Sequence, residues 1–144
     1  PQDSSLSGMY FYQELIDSGI NAIGRVPRET LMKYICASDV LVQLPSNKIF
    51  LKYGDICTVI IEALSLHCPV IGPQLKYFDK PDRKSLGFMT NNKKRVVRAI
   101  NLIFKGHVFD GNKMREIVKK HYAWDPILSR NFEEYQKVYE KHYG

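Results

Sequence analysis

Cysteine is scarce in this sequence, and what there is cannot staple a fold. Cys36, Cys57 and Cys68 are an odd set with no C-x-x-C and no paired His/Cys metal spacing. Each falls in an apolar stretch, so three buried free thiols in a reducing compartment are expected. The four histidines, His67, His107, His121 and His142, are scattered, so neither a metal site nor a histidine general base is expected. Long hydrophobic runs are missing too. The longest stretch without a formal charge, Ala63 to Leu75, is interrupted by Pro69, Gly72 and Pro73 and is too short to span a bilayer. Ser46 lacks the G-x-S-x-G frame of a hydrolase nucleophile. No signal-peptide pattern opens the chain, and the expectation is a cytoplasmic protein with room for peripheral contact at a membrane.

Acidic residues are the smaller half of the charge. There are 15 Asp and Glu against 21 Lys and Arg, a net charge of +6. That excess suits anionic partners such as nucleotides, nucleic acids or an anionic membrane surface, and selects none of them. The Lys93-Lys94-Arg95 and Lys119-Lys120 runs read as solvated helix faces, and nucleic acid is not expected as a partner. The 144 residues, 44% hydrophobic and 25% charged, suffice for one domain with a real core.

Taken in order, Pro1 to Gly8 is a small, polar lead-in. Met9, Tyr10, Tyr12, Leu15 and Ile16 suit a short helix that Gly19 ends. Ile20 to Ile23 is a brief strand, with Gly24-Arg25-Val26-Pro27 as its exit. Pro27 starts a helix carrying Leu31, Tyr34 and Ile35. Val40 to Leu44 reads as a buried strand and Pro45-Ser46-Asn47 as its stop. Ile49-Phe50-Leu51 is an apolar loop. Next come a helix near Cys57 to Leu66 and a strand at Pro69 to Ile71. Gln74 to Ser85 is charged and aromatic, a surface loop by this reading, and Leu86 to Met89 a last short strand. Helical spacing fills Lys93 to Phe104 and Asn112 to Tyr122, and Asp125-Pro126 opens a final helix over 126–142. Alternating strands and helices predict an α/β fold with a parallel sheet and helices on both faces. Ligands of such sheets bind where strands exit into helices.

One helix stands out chemically. Between Asp55 and His67 the only formally charged side chain is Glu62, set among Val59, Ile60, Ile61, Ala63 and Leu64. A carboxylate there needs a partner or an open helix end. Thr58, four residues earlier, shares its face. A helix start offers unpaired N–H groups and a positive dipole end, a seat for phosphate.

These pieces, in this order, resemble the C-terminal, nucleotide-sugar-binding half of group 1 (family 4) glycosyltransferases of the GT-B fold. Gly24-Arg25-Val26-Pro27 with Leu31 and Tyr34 is similar to that family's G-x-V…L…Y. Ala37 to Ser46 resembles its A-D-V-x-V-x-P-S. Val59-Ile60-Ile61-Glu62-Ala63 through Cys68-Pro69-Val70-Ile71-Gly72 resembles V-x-x-E-A…G-x-P-V-I, and Leu86-Gly87-Phe88 and Ala123-Trp124 fit its closing segments. The similarity spans roughly residues 20 to 142.

The resemblance implies a Rossmann-like parallel sheet and a donor-binding domain, residues 1–144, incomplete on its N-terminal side. It implies a UDP-, GDP- or ADP-sugar as donor substrate, and neither metal nor separate cofactor. Glu62 matches the glutamate that binds the donor ribose. Ile56, Cys57 and Thr58 match the phosphate-binding turn, and Gly24, Arg25 and Val26 the loop beside the base. The family's first glutamate, which contacts the sugar, falls on Gly54, with Asp55 one residue off as the candidate for that role. The Arg and Lys that clamp the diphosphate, and the acceptor-binding N-terminal domain, match nothing in the 144 residues. The resemblance thus implies retaining sugar transfer by a longer protein, with this chain inactive alone. The alternative is a non-catalytic nucleotide-binding or scaffolding module. In the family the last helix runs back to the N-terminal domain, so Ile127, Phe132, Tyr135, Val138 and Tyr139 should be only partly covered.

Overall fold

The structure, a computed structural model, describes residues 13–44 and 56–143. The expected lead-in, the stop at Pro45-Ser46-Asn47, the apolar loop at Ile49-Phe50-Leu51, Gly54 and Asp55 lie outside the described residues. The chain divides into two compact units, Pro1–Leu31 and Met32–Gly144.

In the first unit residues 13–17 are helical. The amides of Gly19 and Ile20 reach back to the carbonyls of Ile16 (2.9 Å) and Leu15 (3.0 Å), with Gly19 at φ +76°. That paired bonding is a Schellman ending, and it needs the left-handed residue that glycine supplies. The strand expected at Ile20 to Ile23 does not form: these residues are irregular backbone. Both isoleucines stand exposed, so neither face of the run is buried enough to fix a strand. Gly24, at φ +65°, turns the chain toward Pro27, whose carbonyl accepts from Leu31 N–H (3.0 Å) and opens helix α1, Arg28–Cys36.

The second unit holds the sheet. Strands β1 (Leu41–Val42), β2 (Val70–Ile71) and β3 (Gly87–Phe88) lie side by side in that order, all parallel. Leu41 pairs with Val70 and Val42 with Ile71; Val70 pairs with Gly87 and Ile71 with Phe88. The expected strand over Val40 to Leu44 is shorter than its apolar run. It has β2 on one side and, among the described residues, no strand on the other, which leaves Val42 and Leu44 exposed.

Helix α2 (Thr58–Ser65) crosses from β1 to β2. A 3₁₀ turn, Pro73–Tyr77, and helix α3, Lys80–Leu86, cross from β2 to β3. This corrects the surface loop expected over Gln74 to Ser85. Leu75, Phe78 and Leu86 are fully buried there, so the charged residues are one face of an ordered crossover. Arg83 fastens it: Nε donates to the Phe78 carbonyl (2.7 Å) and Nη2 to that of Lys76.

Helices α4 (Lys93–Phe104), α5 (Gly111–Tyr122) and α6 (Trp124–Tyr143) follow. Asn92 and Asp110 cap α4 and α5, accepting from the amides of Arg95 and Lys113. Side chains alternate across a strand, so Val70 and Ile71 point to opposite faces. Ile71 meets Val96 and Ala99 of α4. Val70 has no exposed surface either, α2 packs on β2, and α5 packs on α2 through the layer that holds Ile60, Ala63, Leu64, Met114, Ile117 and Val118. Each fully buried aliphatic side chain contributes about 1.5–3 kcal/mol by leaving water. The result is an α/β unit, mostly helical, on a small parallel sheet.

Ala123, extended at φ −69° and ψ 151°, separates α5 from α6. The last helix begins at Trp124, two residues before the expected start at Pro126. Ile127 is half-buried, while Phe132, Tyr135, Val138 and Tyr139 are exposed, so that row is only partly covered. No helix of the described residues is long and apolar enough to cross a membrane.

Gly87 is where the sheet is tightest. It sits at φ +142°, and a Cβ there would lie 1.9 Å from the Val70 carbonyl oxygen. Gly106, at φ +92°, has nothing within 4 Å of the same atom. Gly87→Ala is expected to cost more than about 2 kcal/mol and Gly106→Ala about 1 kcal/mol. Urea unfolding with unchanged slope measures both; equal costs would show that the β2–β3 approach is not the constraint.

Candidate functional site

The exits of β1 and β2 are brought together by backbone alone. Gln43 N–H donates to Ile71 C=O (3.0 Å), and Gly72 then passes so close that a Cβ on it would lie 2.5 Å from the Gln43 carbonyl oxygen. Gln43 therefore leaves β1 beside the Gly72-Pro73-Gln74 turn that leaves β2.

The start of α2 docks on this pair of exits. Cys57 is its N-cap, extended at φ −70° and ψ 139°. Gln74 Nε2 lies 3.4 Å and Gln43 Nε2 3.9 Å from Cys57 Sγ, the geometry of weak N–H···S bonds. With the sulfur turned to the two amides, the Cys57 side chain makes no bond to the first-turn N–H groups. No acidic residue stands in that turn, so nothing within the helix offsets the positive end of its dipole. Thr58 is the first helical residue, exposed, with Cys57 in the capping place.

Glu62 lies one turn further on. Thr58, Glu62 and Ser65, at i, i+4 and i+7, form the less covered face, opposite Ile60, Ala63 and Leu64, which have no exposed surface. Glu62 is half-buried, which places its carboxylate beside the helix in a partly dry setting without sealing it. Chemically the arrangement offers amide donors at the helix start and an acceptor carboxylate about 6 Å along the axis.

Of the residues singled out by sequence, Ile56, Cys57, Thr58 and Glu62 thus come together, Ile56 and Cys57 half-buried ahead of the helix. Gly24, Arg25 and Val26 belong to the first unit, where Gly24 is left-handed, Arg25 exposed and Val26 half-buried. Asp55 and Gly54 are outside the described residues.

Two features escaped the sequence reading. Gln43 and Gln74 carry no motif of their own. Their only signal is a polar amide directly after an apolar strand and after the Gly72-Pro73 stop. The second is a cluster of Asp79, Asp82, Lys120 and His121. His121 Nε2 lies 3.2 Å from Asp82 Oδ2 and 3.6 Å from Asp79 Oδ2, and Lys120 Nζ lies 3.6 and 3.9 Å from the same two oxygens. Ligand atoms of the two aspartates and the histidine fall within 4.8 Å of one another. The Lys120 ammonium lies against both carboxylates, and the group is an ion-pair clip joining the end of α5 to the start of α3. Phe78, edge-on to His121 and Tyr122, fills the space beneath. The Lys120–Asp79 pair, exposed on both sides, contributes about 1 kcal/mol or less.

The expectation of three buried thiols is corrected: only Cys68 is buried, Cys57 is half-covered and Cys36 exposed. Cys36 closes α1 one position past the buried Ile35 and faces outward. Burial pushes the Cys68 thiol up to about 11.

No protein-family model, curated protein or solved structure matches the chain.

The thiols give a direct check on this geometry. Near pH 8 a thiol of pKa about 11 is only about one-thousandth thiolate. Iodoacetamide should label Cys36 first, Cys57 slowly, and Cys68 only after unfolding, as read by peptide mass mapping. Early labelling of Cys68 would contradict the packing of β2 and its approach.

Proposed function

We propose that this chain is the nucleotide-binding part of a sugar-transfer protein, holding the diphosphate of a UDP-, GDP- or ADP-sugar at the start of α2 and its ribose on Glu62. The observation that carries the reading is the first turn of α2, uncapped by its own N-cap side chain and set at the exits of two parallel strands. Neutral amides at the positive end of a helix hold phosphate without any change of charge. A carboxylate one turn along accepts from two vicinal hydroxyls, and its half-buried setting strengthens both bonds. The order of motifs from Gly24 to Trp124 supports the finer part of the reading, a Rossmann-like donor half of a retaining GT-B glycosyltransferase.

Transfer itself asks for more than binding. A leaving diphosphate needs its developing charge stabilised in the transition state. No Arg and Lys of this chain match the family's diphosphate clamp, and position 54, where the family's sugar-contacting glutamate falls, is glycine. In this reading the present chain binds donor, and catalysis belongs to a longer protein with an acceptor-binding half. Gly54 also favours a second reading, a nucleotide-binding module that transfers nothing.

A thermal-shift series with UDP, GDP and ADP tests the binding. A ligand at about a hundred times its dissociation constant adds about 2.7 kcal/mol of stability. One nucleotide should raise the melting temperature of the parent chain, and Glu62→Ala should abolish that shift while leaving the unliganded melting temperature within a few degrees. Absence of a shift with all three, or an undiminished shift in the variant, would remove the nucleotide role from this site.

A further inference from the structure

The positive charge of this chain is concentrated. Between residues 80 and 105 lie eight of its 21 basic residues and one of its 15 acidic ones. That one, Asp82, is already matched by Lys120 and His121. The remainder of the chain is nearly balanced, 13 basic against 14 acidic.

Folding brings seven of these eight basic residues around three adjoining depressions. A shallow depression beside the exit of β3 is lined by Met89, Thr90, Arg95, Arg98 and Leu102. A second, along α4, shares Arg98 and Leu102 with it and adds Lys94, Val97 and Lys105. A third shares Met89 and adds Lys80 and Lys84, beside Arg83, whose guanidinium turns inward to the carbonyls of Phe78 and Lys76. None of the three linings contains Asp or Glu.

Apolar side chains stand among the charges. Met89, Val97, Leu102 and Phe104 are 49, 58, 41 and 71% exposed. On α4, Lys94, Val97, Arg98, Asn101, Leu102 and Lys105 recur at helical spacing, while the inner face, Val96 and Ala99, is packed on Ile71. We infer that the α3–β3–α4 face docks this chain on an anionic lipid bilayer, its lysines and arginines at the headgroups and Val97, Leu102 and Phe104 in the interfacial layer.

The mixture decides between anionic partners. A nucleic-acid surface would pair basic side chains with flat aromatic platforms for bases. Residues 80–105 hold no Tyr, Trp or His, and Phe104 is the exposed aromatic among them. Exposed aliphatic groups between cations have no use against phosphodiester chains, whereas an interfacial helix lying in a headgroup layer uses both. The described helices include none that spans a bilayer, so the mode is lying on it. Each basic side chain near an anionic surface raises partitioning roughly fivefold.

Co-sedimentation of the 144-residue chain with vesicles tests this. It should bind vesicles of equimolar phosphatidylcholine and phosphatidylglycerol, and not vesicles of phosphatidylcholine alone. Binding should fall steeply as salt rises from about 0.1 to about 1 M and the screening length shrinks from about 10 to about 3 Å. Charge reversal at three places, Lys94→Glu, Arg98→Glu and Lys105→Glu together, should lower partitioning on the order of a hundredfold or more. The same net change placed on α5, Lys113→Glu, Arg115→Glu and Lys119→Glu together, should retain most of it. Val97→Ser with Phe104→Ser keeps every charge and should still weaken binding several-fold. Circular dichroism confirms that each variant keeps its helix content. Equal losses from both charge reversals would reduce the effect to net charge and overturn the proposal, as would no preference for the mixed vesicles. Tighter binding to a single-stranded oligonucleotide, with the Val97/Phe104 variant unaffected, would assign the face to nucleic acid instead.

Discussion

Two residues, Val70 and Ile71, have to be covered on both sides, and most of the second unit follows from that. A strand of two residues makes too few ladder bonds to hold a sheet by itself. Burial supplies what the ladder lacks. Ile71 draws α4 onto one face, and α2 and α5 form a second apolar layer through Ile60, Leu64 and Met114. The backbone approaches permit no slack: Gly87 lies against Val70, and Gly72 against Gln43. With strands so short, a glycine at each close approach is what lets the three strands reach pairing distance.

That same packing places the site. Helix α2 is fixed by its buried face, so its start must come to rest near the strand exits, where Gln43 and Gln74 take the Cys57 sulfur between them. The Cys57 side chain makes no bond to the first-turn amides, and Glu62 follows on the half-open side. The binding geometry proposed here costs the fold little. A helix start at this edge is a by-product of the parallel crossover, and one half-buried carboxylate is its main specialisation.

The sequence was most legible where spacing is unambiguous. The helical spacing over Lys93 to Phe104 predicts α4 to the residue, and Gly19 and Pro27 punctuate as their backbone chemistry requires. It misled where apolar content was taken for burial or charge for exposure. Val40 to Leu44 is apolar because it pairs with β2 on one side, yet Val42 and Leu44 face water. Gln74 to Ser85 carries Lys76, Lys80, Arg83 and Lys84, and still buries Leu75 and Phe78 because Arg83 turns inward to cap carbonyls. Contacts between distant residues left no trace in local patterns. Asp82 and His121 are 39 positions apart, and only the packing of α5 on α3 makes them neighbours. The residues of the α2 start were legible as a group because they are consecutive, whereas the amides that dock it come from two other strand exits.

Charge and apolarity then divide the surface by purpose. A uniformly basic protein would repel itself everywhere and select no anion. Here the remainder is nearly neutral, and the excess sits on α3, β3 and α4, whose other side is committed to covering Ile71. Helix α4 is therefore bound by two constraints at once. Val96 and Ala99 must face the sheet, and that fixes Lys94, Arg98 and Lys105 on the outside as one stripe. The exposed Val97, Leu102 and Phe104 are not needed by the core, which already has its contacts, and they carry a hydration cost that a solvated helix face would avoid. A face that combines unneeded apolar groups with unmatched cations is stabilised when an anionic surface with a hydrocarbon interior takes both away from water.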